Sequence, residues 1–206
     1  AVTRADFLDP GALGGLLRGS LFEAVLESVL GGGTFEDLVL PCAVTAFDLR
    51  RMRNVALGEG DGTSVARAVR ASASFPLLFA PVAHRRFGDG PREWLLDGGI
   101  GDQDGTGGVA RLPPVKGRRL VRVANGRFRG APTPAFLEAQ DIASVVSVEL
   151  RHVPTCGVTK IGDCGKMAGE IARCAVSRAL DKPMRGHTMP GGQEHWLLTA
   201  DATPCL

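Results

Sequence analysis

Residues 94–99 read WLLDGG, an apolar run that ends in one aspartate and two glycines. The apolar run predicts a short strand, with Asp97 just beyond its carboxyl end. In open α/β sheets the reactive groups lie at that edge, and a carboxylate held there can accept a proton from a nucleophile. Gly98 and Gly99 would keep side chains away from its flank. The same tripeptide is also typical of an ordinary hairpin or loop turn, so a catalytic aspartate and a structural turn both stay open.

Helices and strands are predicted to alternate around this hexapeptide. Apolar residues at helical spacing predict a helix over 12–30, which glycines weaken before Ser20 and Gly31-Gly32-Gly33 stops. The valine-rich residues 38–47 predict a strand buried on both faces. The next predicted elements are a strand at Asn54–Leu57, a helix at 64–73, strands at Leu77–Val82 and Trp94–Leu96, and a long loop at 100–117.

The second half of the chain continues this alternation. Its predicted elements are a strand at Leu120–Ala124, a helix or strand over 135–150, a helix at Lys166–Leu180 and a strand at His195–Thr199. Strands that alternate with helices favour an α/β layer fold with a largely parallel sheet. The loop at 100–117 is the best candidate for a break between domains.

Length and charge exclude several classes of protein. The 206 residues suffice for one domain of ordinary size, or one and a half at most. A net charge of +2 argues against a dedicated nucleic-acid binder, which usually carries a strongly basic patch. No apolar run in the sequence approaches the ~20 residues that a membrane span needs.

The cysteines and acidic residues predict neither crosslinks nor metal sites. Five cysteines are an odd number without close pairing, so we expect no secreted disulfide framework and a reducing, intracellular compartment. Cys156, Cys164 and Cys174 are expected to be core thiols, because their spacing does not match a zinc knuckle. Residues 102–105 (DQDG) lack the glutamate that closes a calcium loop. No metal and no cofactor are predicted.

Three segments in a fixed order carry a resemblance to a known family. Residues 34–49 run from TFEDL into the predicted buried strand, residues 65–76 read VARAVRASASFP, and residues 94–99 follow. This string resembles the patatin-like phospholipase family of serine lipid acyl hydrolases, over about residues 34–101. The resemblance implies a three-layer α/β/α sandwich with a mostly parallel central sheet. It also implies a serine–aspartate dyad that hydrolyses acyl esters of lipids.

Individual residues follow from the same resemblance. Asp97 corresponds to the family's catalytic base, and Gly98 and Gly99 support that motif. The family also has a Gly-x-Ser-x-Gly elbow, and the 206 residues contain none. Residues 62–66 (GTSVA) come nearest, but they end in alanine and follow no apolar strand, so Ser64 is predicted to cap a helix instead.

In the family's order the serine precedes the helix predicted at 12–30. We therefore expect residues 1–206 to be one partial, N-terminally truncated patatin-like domain, the C-terminal part of the whole. Within it, residues 125–206 form a C-terminal region of unknown role. The function is then either that of a lipid acyl-ester hydrolase whose serine lies outside this chain, or that of a non-catalytic, degenerate patatin-like module that binds lipid or protein.

A locally basic run bears on the partners of the chain. The substrate expected from the resemblance is a lipid or another acyl ester, and no nucleic acid is expected. The run is predicted to be a solvated edge, with peripheral contact to an anionic membrane surface as the alternative. It comprises Lys116, Arg118, Arg119, Arg122, Arg127 and Arg129.

Overall fold

The chain divides into two compact units at the junction of Pro113 and Pro114. The computed structural model describes residues 9–10, 15–85, 90–154 and 163–205. The first unit spans Val2–Pro113 and the second spans Pro114–Leu206. Their junction lies in the loop at 100–117 that the sequence indicates as the best break. A single partial domain over the whole chain stays a prediction.

The described residues of the first unit form two α-helices and two sheets. Its elements are β1 (Gly15–Leu17), α1 (Ser20–Leu30), β2 (Ala43–Asp48), β3 (Arg53–Gly58), α2 (Val65–Ser72), β4 (Leu77–Phe79), β5 (Val82–Arg85) and β6 (Arg92–Asp97). Strands β1 and β4 form a two-stranded parallel sheet, and the other strands form a four-stranded sheet in the order β3-β2-β6-β5. The predicted mixture of helices and strands is thus confirmed.

The expectation of a mostly parallel sheet is wrong for the sheet that contains β6. All three of its pairings, β2 with β3, β2 with β6 and β5 with β6, are antiparallel. Only residues 49–52 connect β2 to β3. A crossover between parallel strands needs a dozen or more residues. A connection of four residues can therefore join only antiparallel neighbours.

Two predicted strands also begin or end elsewhere. Strand β2 begins at Ala43, and Val39 before it is 98% exposed, so residues 38–42 are not a buried strand. Pro41 has no N–H to donate to a sheet ladder, which explains the late start. The run predicted as Leu77–Val82 is split between β4 and β5.

Helix α2 supplies much of the core of the first unit. Ser64 caps it, since its hydroxyl accepts a hydrogen bond from the Arg67 N–H at 3.2 Å, as predicted. The buried side chains of Val65, Ala68 and Ala71 belong to one cluster with residues of the antiparallel sheet, among them Ala46 and Leu95. The helix therefore covers the face of the sheet on which Leu95 lies.

Helix α1 begins and ends where its glycines predict. It starts at Ser20 and stops at Gly31, which adopts the left-handed conformation (φ 77°) that a helix C-terminus favours. The Asp9 carboxylate accepts hydrogen bonds from the backbone N–H groups of Gly19, Ser20 and Leu21. A carboxylate at this end also complements the helix dipole, so Asp9 fixes the start of α1.

The second unit contains a mostly parallel four-stranded sheet. Its elements are β7 (Arg118–Asn125), α3 (Pro134–Ala139), β8 (Ile142–Arg151), α4 (Asp163–Leu180), β9 (Arg185–Thr188) and β10 (Glu194–Asp201). The strand order is β7-β8-β10-β9, in which β7, β8 and β10 are parallel and β9 is antiparallel. The stretch 135–150 contains both of its alternatives, the end of a helix and then a strand.

Disulfides in the second unit contradict the expected core thiols. Cys174 in α4 is bonded to Cys205, with their Cα atoms 6.2 Å apart, and Cys164 is also disulfide-bonded. Cys156 lies outside the described residues. The two cysteines are 31 positions apart, which matches no recognisable spacing motif, so only the packing of α4 brings the two thiols together. Cys42 is a free, exposed thiol.

Helix length bears on membrane insertion. Within the described residues, every helix is too short or too polar to cross a bilayer.

Candidate active site

Asp97 is the last residue of β6 and is fixed by its backbone on two sides. It pairs with Ala46 of β2, and its N–H donates a 2.9 Å hydrogen bond to the carbonyl oxygen of Ser74, just after α2. The chain then enters a 3-10 helix, Gly98–Ile100. A hairpin at Asp-Gly-Gly is therefore wrong, because within the described residues β6 pairs only with β2 and β5, which both precede it, whereas a loop turn stays open.

The carboxylate of Asp97 is half-buried and has one oriented oxygen. Its Oδ1 accepts a 2.8 Å hydrogen bond from the N–H of Gly99. Its Oδ2 has no hydrogen-bond partner within the described part of the chain. One oxygen is thus held by the backbone, while the other has the capacity to accept a proton.

Gly98 and Gly99 lie where a side chain would collide with β2 or with the Asp97 carboxylate. A Cβ atom on Gly98 would lie 2.3 Å from the carbonyl oxygen of Thr45, a separation that real Cβ atoms do not show. A Cβ atom on Gly99 would lie 3.0 Å from Oδ1 of Asp97. The first glycine lets the chain approach β2, and the second leaves the carboxylate uncrowded.

Three residues that the sequence did not single out complete this setting. Asn54 of β3 donates a 2.8 Å hydrogen bond from Nδ2 to the carbonyl oxygen of Gly98. Thr45 lies against Gly98, and Ser74 accepts the N–H of Asp97. Polar residues in strands and loops are ordinary, so no pattern in the sequence indicates these contacts.

Three exposed apolar residues come shortly after Ser74 and Asp97 in the sequence. Phe75, next to the Ser74 carbonyl, is 61% exposed, and Leu77 at the start of β4 is 84% exposed. Ile100, at the end of the 3-10 helix, is exposed as well. All three residues are close to Asp97 or Ser74 in the sequence, and their side chains remain in contact with solvent.

The other sequence candidates have structural roles. Ser64 caps α2, and Gly31 ends α1. Asp102 accepts a hydrogen bond from the N–H of Gly107, and burial raises the pKa of its carboxyl group. Across residues 9–10, 15–85, 90–154 and 163–205, no group of three or more side chains is arranged to hold a metal ion.

A serine–histidine pair in the second unit was not predicted. The hydroxyl of Ser147 and Nε2 of His195 lie 2.8 Å apart, and the pair is buried. Burial lowers the pKa of His195, with smaller contributions from His187 and Arg122. Because Ser147 is only 1% exposed, an ester cannot approach its hydroxyl, and this pair is structural.

Comparison with known proteins identifies the family of the chain. No curated protein matches the chain. The family model of patatin-like phospholipase matches residues 4–107, which include Asp97, Gly98 and Gly99. This match covers half of the chain and nearly all of the first unit. The chain belongs to the patatin-like phospholipase family.

Proposed function

We propose that the first unit carries the aspartate of a lipid acyl-ester hydrolase, and that Asp97 is its general base. The carboxylate of Asp97 takes the proton of a serine hydroxyl as that oxygen attacks the ester carbonyl carbon. Collapse of the tetrahedral intermediate returns the proton to the departing alcohol and leaves an acyl-serine. Asp97 then deprotonates a water molecule, which releases the fatty acid and regenerates the serine.

The carboxylate geometry is the observation that carries this function. A base must be held still and must keep a lone pair available for the proton. Asp97 meets both needs, because the Gly99 N–H orients Oδ1 and Oδ2 has no partner within the described residues. The exposed Phe75 and Leu77 are suited to the alkyl part of a lipid ester.

The serine and the oxyanion donors are proposed to come from outside these 206 residues, which contain no Gly-x-Ser-x-Gly. The complete domain would then be the three-layer α/β/α sandwich of the family. Strands β1 and β4 support this view, since a two-stranded sheet of three-residue strands is marginal by itself. Further strands beside them would stabilise both.

Activity of the complete reading frame tests this function. We expect it to hydrolyse a p-nitrophenyl ester and to react with a fluorophosphonate probe at one serine. Asp97→Asn should lower the rate by about 10²–10⁴-fold, the range of a lost catalytic base. Asp104→Asn, the same change in a nearby loop, should leave the rate unchanged.

Two results would contradict parts of this function. Labelling of a serine in the 206-residue chain alone would show that the nucleophile lies within it. A reading frame without Gly-x-Ser-x-Gly, and without esterase activity, would instead establish the non-catalytic module that the sequence leaves open.

We also propose that the basic run makes peripheral contact with anionic lipid surfaces. Lys116, Arg119, Arg127 and Arg129 are exposed, whereas Arg122 is buried and stacks on the Phe128 ring at 4.0 Å. Each exposed cation near such a surface contributes about 1 kcal/mol at low salt. Vesicles with phosphatidylserine should therefore bind the chain better than phosphatidylcholine vesicles, and equal binding would remove this contact.

A further inference from the structure

The second unit contains a cavity of about 850 Å³ that has no part in the proposed hydrolysis. It lies where the end of α4, the start of β9 and the second half of β10 meet. Its volume lies within the ~300–1,000 Å³ range of small-molecule sites. The lining residues that the structure describes all belong to residues 151–204, within this unit.

The lining of the cavity separates into an apolar floor and a basic rim. Ala175, Ala179 and Leu198 are buried and line the floor. The rim consists of the exposed residues Arg178, Lys182 and Arg185. An apolar interior below a cationic mouth is complementary to a molecule with an alkyl chain and an anionic head group.

Helix electrostatics do not account for all of this positive charge. A cation such as Arg178 near the end of α4 stabilises the negative end of the helix dipole. Arg185 belongs to β9 and Arg151 to β8, so neither has that role. Charges from three elements thus converge on one cavity.

The rim cations are also free to bind a ligand. Arg178, Lys182 and Arg185 make no ion pair with any residue in the described ranges. Arg151 is paired with Glu149 at 2.5 Å. Asp201 is the one acid among the lining residues that the structure describes, and its pKa is held far below its usual value by His152 and by Thr203. The net charge of the lining therefore favours an anion.

We propose that this cavity binds a single-chain anionic amphiphile, with its carboxylate or phosphate at the rim and its alkyl chain on the floor. Arginine side chains donate paired hydrogen bonds to either anion, which suits both head groups. The fatty acid released by ester hydrolysis belongs to this class. That link alone rests on the proposed function, since the cavity is defined by residues far along the chain from Asp97.

Calorimetric titration of the 206-residue chain tests the class of ligand. The probes are dodecanoate, dodecyl phosphate and dodecyltrimethylammonium, each below its critical micelle concentration. Acetate and inorganic phosphate represent the two anionic head groups without an alkyl chain. At least one of the two anionic amphiphiles should bind at least about tenfold more tightly than the cationic one and than its own free head. Which of them binds identifies the head group, and equal affinity for the cationic amphiphile or for the free head would overturn the proposal.

Matched variants locate the binding. The triple variant R178Q/K182Q/R185Q should lower the affinity for the anionic amphiphile at least about tenfold. The triple variant R53Q/K166Q/R173Q removes the same charge from exposed residues outside both the cavity lining and the basic run, and it should bind like the unchanged chain. Equal losses of affinity in the two variants would show that only the net charge of the chain matters, and would exclude the cavity as the binding site.

Two further variants test the cavity itself and separate ligand binding from hydrolysis. Thr199 is exposed and lines the cavity, and phenylalanine is well suited to strands, so Thr199→Phe should fill the cavity and abolish binding. Unimpaired binding by this folded variant would exclude the cavity as the site. Asp97→Asn should bind normally, so a failed hydrolase and a failed cavity give different results.

Discussion

The two units share one design, a four-stranded sheet with a helix on one face, but they are stabilised differently. In the first unit the sheet is antiparallel, and Gly98 lets the chain that follows β6 lie against β2. In the second unit the central strands are parallel, and a disulfide joins α4 to the C-terminal segment. The difference shows that close backbone contact and covalent linkage can each hold a small helix–sheet unit together.

Both buried faces include polar side chains. The face of the first sheet on which Leu95 lies also buries Asp48, His84 and Glu93, and one face of the second sheet buries Arg122, Ser147 and His195. The chain has two tryptophans, Trp94 in the first unit and Trp196 in the second. Trp196→Phe and Trp94→Phe variants therefore leave one reporter of unfolding in each unit.

Loss of the disulfide should give the largest effect. The variant C174S/C205S opens a loop of 31 residues, which the chain-entropy relation values at about 3–4 kcal/mol of unfolding free energy. Urea unfolding followed by Trp196 fluorescence should show this loss, and Trp94 should report a smaller one. Cys42→Ser is the control, and equal losses at both tryptophans would contradict separate stabilisation.

Gly98→Ala should destabilise the first unit by about 1–3 kcal/mol, because its Cβ atom would displace the backbone of Thr45. Trp94 fluorescence during urea unfolding measures the change. In the second unit a Cβ atom on Gly130 would have no neighbour within 4 Å, so Gly130→Ala should change stability by less than about 0.5 kcal/mol. Similar effects of the two substitutions would show that the approach to β2 is not tight.

Helix caps offer a matched pair with a smaller effect. The hydroxyls of Ser64 and Thr133 each accept an N–H bond of 3.2 Å at the start of α2 and α3. Ser64→Ala should cost about 1 kcal/mol at Trp94, and Thr133→Ala about the same at Trp196. Ser64→Asp restores an acceptor and should recover the loss. If a cap variant changed the free energy of unfolding only at the tryptophan of the other unit, that result would contradict the division at Pro113.

Acid should weaken the second unit slightly, through His195. Burial lowers the pKa of His195 in the folded state, so the unfolded chain takes up this proton first as the pH falls below the usual value of ~6.5. The free energy of unfolding at Trp196 should therefore decrease between about pH 7.5 and about pH 5.5, by less than about 1 kcal/mol. His195→Gln should reduce this pH dependence, and an unchanged slope would exclude His195 as its source.

Local features of the fold could be predicted from the sequence, and pairings between distant residues could not. The start and stop of α1 and the cap of α2 follow from adjacent residues, and the structure confirms them. Strand direction around β6 and the bond between Cys174 and Cys205 depend on residues far apart in the chain. The same limit applies to Asn54, whose contact with Gly98 joins residues 44 positions apart.

The contact between Gly98 and Thr45 has a consequence for protein engineering. The hexapeptide WLLDGG cannot be transplanted by itself, because its aspartate is positioned by a neighbouring strand whose carbonyl oxygen leaves no room for a methyl group. A graft would have to include β2 and the carboxamide of β3 that binds the following carbonyl. The short motif therefore depends on contacts among three strands, β2, β3 and β6.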